Sequence, residues 1–87
     1  SPGIPLVLNA RKASPKSAFI VIGNTRIKNK DIFNLSKSSN LVEAAKNLYK
    51  TLINIKRKKY KKIYVMKIPK KGIGIAINDR LKRAATK

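Results

Sequence analysis

The run SSNLVEAAKNLYKTLINIKRKKYKKIYVMKIP, residues 38–69, changes period in its middle, and that change decides the class of fold. Leu41, Ala45, Leu48, Leu52 and Ile55 recur three or four residues apart, so they share one face of a helix. Ala44 and Tyr49 widen that apolar face, while Lys46, Lys50 and Asn54 lie away from it. Asn40 stands just before the first apolar position, and Glu43 follows three residues later. The pair reads as a capping box with Asn in place of the usual Ser or Thr. The cationic run KRKKYKK, residues 56–62, ends the helix, where positive charge meets the partial negative charge of the last carbonyls. From Lys61 to Pro69 the pattern alternates, with Ile63, Val65 and Lys67 against Tyr64, Met66 and Ile68. That is the period of a strand. A helix feeding a strand points to an α/β layer and away from a helical bundle.

Working outward, AFIVIGN (residues 18–24) is the strongest strand signal, an unbroken apolar run closed by Gly23. Runs of this kind suit a sheet covered on both faces. IPLVLNA (residues 4–10) reads as a buried strand, and IFNLSK (residues 32–37) as a short one. Pro15 and its neighbouring serines make residues 11–17 a turn or loop. Downstream, KKGIG turns and IAINDRLKRAATK is helical, with Ile73, Ile77, Leu81 and Ala84 on one face. The order is β-β-β-α-β-α, an α/β unit of sheet plus helices in two or three layers. If the third and fourth strands share a sheet in parallel, their crossover should be right-handed.

Composition narrows the function. Eighty-seven residues make one small domain with one thin core. The chain has no Cys and no His, so thiolate chemistry and the commonest general base are absent. Its three carboxylates, Asp31, Glu43 and Asp79, are far apart in sequence. A two-carboxylate mechanism or a magnesium cage would have to draw on these alone. An enzyme built from this chain by itself is not expected. No apolar run approaches a membrane span, and no signal-peptide pattern opens the sequence, so a cytoplasmic protein is expected. The net charge of +19 has two readings: an anionic partner, or codon usage favouring Lys, Asn and Ile. Lys56, Arg57, Lys58, Lys59, Lys61 and Lys62, with Lys70 and Lys71, form the candidate polyanion patch. Tyr49, Tyr60 and Tyr64 are possible stacking platforms; Tyr49 and Tyr64 fall on core elements, and Tyr60 lies inside the basic run.

The glycine pair Gly72 and Gly74 lacks the rest of a phosphate-binding fingerprint. A dinucleotide motif needs a third glycine where Ile77 stands, and the Gly-Lys-Ser/Thr of a Walker loop is missing. A turn with positive φ at Gly72 and close packing at Gly74 accounts for both. Asp79 reads as the partner of a nearby Lys or Arg, or as a contact to another domain. Arg80 and Arg83 lie on the polar side of the same helix.

The closing string IPKKGIGIAINDRLKRAA resembles the end of the C-terminal domain in long-form threonylcarbamoyl-AMP synthases, the Sua-five family with a YrdC-like catalytic domain. Pro69, Gly72, Gly74, Ala76, Ile77, Asp79, Arg80, Leu81, Arg83, Ala84 and Ala85 carry the likeness. The helix NLVEAAKNLYKTL agrees through Leu41, Ala44, Ala45, Leu48, Tyr49 and Leu52. SPGIPLVLNA is similar to the point where the interdomain linker enters the first strand, which sets residues 1–4 as linker and 5–87 as the domain. Relatives often carry a helix between the first two strands, and the connection here is shorter.

The resemblance implies a small Rossmann-like accessory domain beside an N-terminal catalytic domain of the same polypeptide. The whole family enzyme condenses threonine, bicarbonate and ATP into threonylcarbamoyl-adenylate for tRNA modification. ATP, Mg and L-threonine then belong to the catalytic domain, and this chain holds no cofactor. Gly72, Gly74, Asp79 and Arg80 are the residues expected to face that partner or its nucleotide. A basic module binding RNA or tRNA, and a nucleotide-binding domain in its own right, are the alternatives.

Overall fold

Six elements follow one another in the expected order in the computed structural model, which describes residues 4–26, 30–58 and 60–85. They are β1 (Leu6–Ala10), β2 (Ala18–Val21), β3 (Ile32–Asn34), α1 (Leu41–Arg57), β4 (Ile63–Met66) and α2 (Ile73–Ala85). The strands form one sheet in the order β1-β4-β2-β3, and every neighbouring pair is parallel. Thus β3 and β4 do share a parallel sheet, with β2 between them, and α1 carries the chain across it.

All four strands are shorter than their apolar runs. Pro5 has no amide hydrogen to donate, so β1 starts after it. Gly23, at φ +90°, turns the chain out of the β2 line. At the end of β3, the Asn34 side chain takes over the bonding: Nδ2 donates to the Gly23 carbonyl (2.8 Å), and Oδ1 accepts from the Ser36 amide (2.9 Å). β1 was expected to be a buried strand and is half-buried, because it lies at the sheet edge. It also bulges between Val7 and Ala10, where Asn9 adopts φ +57°.

Residue pairing separates the two faces. Ala18 pairs with Ile63, and Ile20 with Val65. These four join Ala44, Leu48 and Ile55 of α1 and Ile77 and Leu81 of α2 in one core cluster. Both helices therefore cover the same face, and the unit has two layers. Phe19 and Val21 turn to the opposite face. They are buried too, beside Tyr64 and Ile32, which pair with Phe19. No helix covers that face among the described residues.

Helix α1 begins at its Asn40 cap, whose Oδ1 accepts from the Val42 and Glu43 amides (2.9 and 3.1 Å). The expected return bond from Glu43 is relayed. The Asn40 amide donates to Ser36 Oγ (2.9 Å), and that hydroxyl donates to Glu43 Oε1 (2.5 Å). The Ser36 carbonyl also accepts from the Gly23 amide (2.7 Å), so one buried serine ties β2, β3 and the start of α1 together. Helix α2 starts at Ile73, two residues earlier than the sequence pattern suggests, and includes Gly74 in its first turn.

One side chain on α1 contradicts the apolar pattern. Tyr49 was expected in the core and is 60% exposed. Its neighbour Leu48 takes the inward position, at 1% exposure. One residue is a rotation of about 100° around a helix, and the core cannot hold both.

Candidate functional site

In an all-parallel sheet the strand starts share one edge and the strand ends the other, so topology sorts the candidate residues. The glycine corner follows β4 at the carboxyl edge. Gly72 is exposed at φ +57°, a left-handed position. Gly74 packs inward: a Cβ there would meet the Pro69 carbonyl oxygen at 2.0 Å and Leu41 Cδ1 at 3.2 Å. Close approach at Gly74 is thus backbone against backbone. The Gly74 and Ile75 amides already donate to the Lys71 and Gly72 carbonyls (2.9 and 3.1 Å). Asn78 Nδ2 donates to the carbonyls of Ile68 (3.0 Å) and Gly74 (2.8 Å), and so fastens the corner to the helix.

Asp79 and Arg80 lie one turn further along, on a groove of ≈ 920 Å³ between α1 and α2. The buried Leu48 and Ile77 form its apolar floor, with Leu52 beside them. Its exposed rim carries Tyr49, Ile73, Arg80, Arg83 and Lys56. Asp79 Oδ2 pairs with Arg83 Nη2 at 2.9 Å, one helical turn away. Both side chains are exposed, so the pair contributes little, about 0.3–0.5 kcal/mol. Arg80 reaches across the groove, its guanidinium carbon 5.6 Å from the centre of the Tyr49 ring. An exposed cation–π contact of this kind is worth about 0.5–1 kcal/mol. The groove therefore presents an apolar floor, an exposed aromatic and three cations from two helices.

The eight-residue basic patch does not assemble as one surface. Lys56 lines the groove. Lys58 caps α1, and Lys61 and Lys62 precede β4 at the amino edge of the sheet. Lys70 and Lys71 follow β4 at the opposite edge, Arg57 is exposed in the last turn of α1, and Lys59 lies outside the described residues. Lys58 and Lys61 instead meet Lys16 and Lys30, which come from other loops, around Asp31 and Tyr60. Sequence spacing carries no sign of that convergence.

The tyrosines also trade places. Tyr60, inside the basic run, is half-buried against the core; its ring meets Phe33 edge-on (centroids 6.0 Å apart), and its hydroxyl donates to Asp31 Oδ1 at 2.5 Å. Burial first, then the Asp31 hydrogen bond and charge, push its phenol from 10.0 up to about 12. In the unfolded chain the phenol ionises at 10, so unfolding releases its proton across that interval. The stabilising contribution of Tyr60 is complete below pH 10, falls as pH rises, and is gone above about 12. Urea unfolding between pH 9 and 12 should show this decline over and above that of a Tyr60→Phe variant, and an absorbance titration should show one tyrosine ionising late.

The three acids are committed separately: Asp31 to Tyr60, Glu43 to Ser36 and Asp79 to Arg83. No group of three His, Cys, Asp or Glu side chains placed to hold a metal ion occurs among the described residues. Among the described residues no helix is long and apolar enough to cross a membrane.

A four-stranded parallel sheet with two helices on one face and an open groove between them defines a small α/β domain. The chain belongs to the family described as threonylcarbamoyl-AMP synthase, C-terminal domain, whose sequence profile matches residues 2–86. No curated protein and no solved structure matches it. The family ties the chain to a synthase that serves tRNA modification, in which a C-terminal domain accompanies a catalytic one.

Proposed function

We propose that this chain is the accessory domain of a threonylcarbamoyl-AMP synthase and promotes adenylate formation by a catalytic domain to which it is joined. The family match carries the reading. The chemistry of the chain agrees with it: no His, no Cys and three carboxylates, each occupied by a different neighbour. ATP, Mg and L-threonine are then handled by the catalytic domain. The accessory domain acts by docking, which completes a site and excludes water without supplying a nucleophile or base. The groove side is the docking face. Tyr49 and Ile73 expose apolar surface there, and Arg80 offers a guanidinium to a carboxylate or phosphate. Asp79 holds Arg83 on the same rim.

The test is pyrophosphate release from ATP, dependent on threonine and bicarbonate, by the catalytic domain alone and by the joined protein. Coupling between domains of 1–3 kcal/mol corresponds to a gain of roughly 5- to 150-fold in the joined form. Arg80→Glu should remove most of that gain while lowering the stability of this domain by no more than about 1 kcal/mol, the scale of its contact with Tyr49. Equal rates with and without the domain would end the proposal.

A further inference from the structure

The amino edge of the sheet carries a row of lysines that neither the docking face nor the fold uses. Lys61, Lys16 and Lys30 each stand two residues before a strand, ahead of Ile63 of β4, Ala18 of β2 and Ile32 of β3. Those strands are neighbours in the order β4-β2-β3. Adjacent strands lie about 4.8 Å apart, so the three strand starts span about 10 Å. Lys58, at the end of α1, joins them around a concavity of ≈ 550 Å³. Composition alone scatters lysines; it does not place one at the same offset before three adjacent strands.

Two features show that these positions are held. Asp31 starts β3 through its carbonyl, which accepts from the Phe19 amide (2.9 Å), and its carboxylate binds Tyr60. That bond ties the Lys30 loop to the loop bearing Lys58 and Lys61. Lys16 sits at φ +65°, in the left-handed region that favours Gly or Asn. The Ser14–Ser17 turn around it is closed by a backbone bond (3.3 Å) and a hydroxyl–hydroxyl bond (2.9 Å). A lysine at this strained position presents a cation at the expense of backbone comfort.

We propose that Lys16, Lys30, Lys58 and Lys61 form a binding site for the phosphodiester backbone of a nucleic acid, read without regard to base sequence. Lysine is a point-charge partner for phosphate, and each strand of a duplex presents one phosphate per about 3.4 Å of helix axis, so a row of this length can meet more than one. Four of the six described residues that line the site are lysines, a charge density that suits a polyanion better than the apolar centre of a protein interface. Tyr60, the one aromatic lining it among the described residues, is half-buried, with its ring edge-on to Phe33 and its hydroxyl held by Asp31, which restricts stacking on a base. Recognition is therefore of backbone, not bases. This inference does not depend on the docking role proposed above.

The experiment is fluorescence anisotropy of the 87-residue chain with 20-base-pair RNA and DNA duplexes between 50 and 200 mM salt. Because +19 attracts any polyanion, the comparison is between two triple variants of equal charge. One removes Lys16, Lys30 and Lys61 as alanines. The other removes Lys37, Lys46 and Lys70, which lie towards the carboxyl edge. Each phosphate contact contributes about 0.9 to the slope of log affinity on log salt, so the first variant should lose about 2.7 and the second much less. The tighter of the two duplexes identifies the source of the backbone. Equal losses in both variants, more than tenfold discrimination among base sequences, or equal competition by polyglutamate would each overturn the proposal. Lys16→Gly separates binding from folding: it relieves the strained φ and should raise Tm by about 4–8 °C while weakening binding. A rise in Tm with unchanged binding would exclude Lys16 and with it the row.

Discussion

Gly74→Ala is expected to lower the unfolding free energy by about 2–3 kcal/mol, against a total of about 4–13 kcal/mol for a domain of this length. The sign is informative, because helix propensity alone would make the same change stabilising by about 1 kcal/mol. Propensity loses here because the new methyl would stand 2.0 Å from the Pro69 carbonyl oxygen. That oxygen cannot swing aside like the end of a long side chain. The proline ring restrains its own φ, and Asn78 holds both the Ile68 carbonyl before it and the Gly74 carbonyl in the helix. Gly72→Ala makes the contrast. Among the described residues nothing lies within 4 Å of a Cβ at Gly72, so the left-handed φ carries the penalty, at about 1–2 kcal/mol. Urea denaturation of the two variants ranks them. A Gly74→Ala protein as stable as the parent would mean that the corner gives way and that close packing is not why glycine stands there.

Leu48→Ala should cost about 3 kcal/mol, while Tyr49→Ser, at the adjacent position, should change stability by no more than about 1 kcal/mol. Leu48 is 1% exposed and its truncation leaves a cavity in the only layer of core between the helices and the sheet. Tyr49 is 60% exposed, and its contact with Arg80 is its one specific interaction among those described. The activity consequences should run the other way. In the joined synthase, Tyr49→Ser should reduce the gain from the accessory domain, because an exposed aromatic at the centre of an interface is a usual source of binding energy. A Tyr49→Ser protein that unfolds early would return the residue to a structural role. One that is stable and fully active would move the docking face elsewhere.

Most of the element order was legible because its signals are local. The Asn40 cap, the heptad-like apolar spacing of α1, the alternation before Pro69 and the glycine corner each act within a few residues. So does the Asp79–Arg83 pair, which needs only one helical turn. The strand ends were overextended because an apolar run marks what can be buried, while the ladder stops where Pro5, Gly23 and Asn34 redirect the backbone. The relay through Ser36 was not legible either. Ser36 lies four residues before Asn40 and seven before Glu43, and only the turn between β3 and α1 brings its hydroxyl to both.

From the chain's own letters follow a β-β-β-α-β-α domain, its family, its excess of positive charge, and its lack of the groups that general acid–base catalysis most often uses. Tertiary structure alone decided the strand order β1-β4-β2-β3, the choice of Leu48 over Tyr49 for the core, and the gathering of lysines from three loops at one edge. The physical reason is range. Periodicity and capping are set by neighbours within one or two turns, whereas strand order and surface charge patterns depend on which distant segments share the burial of a single core.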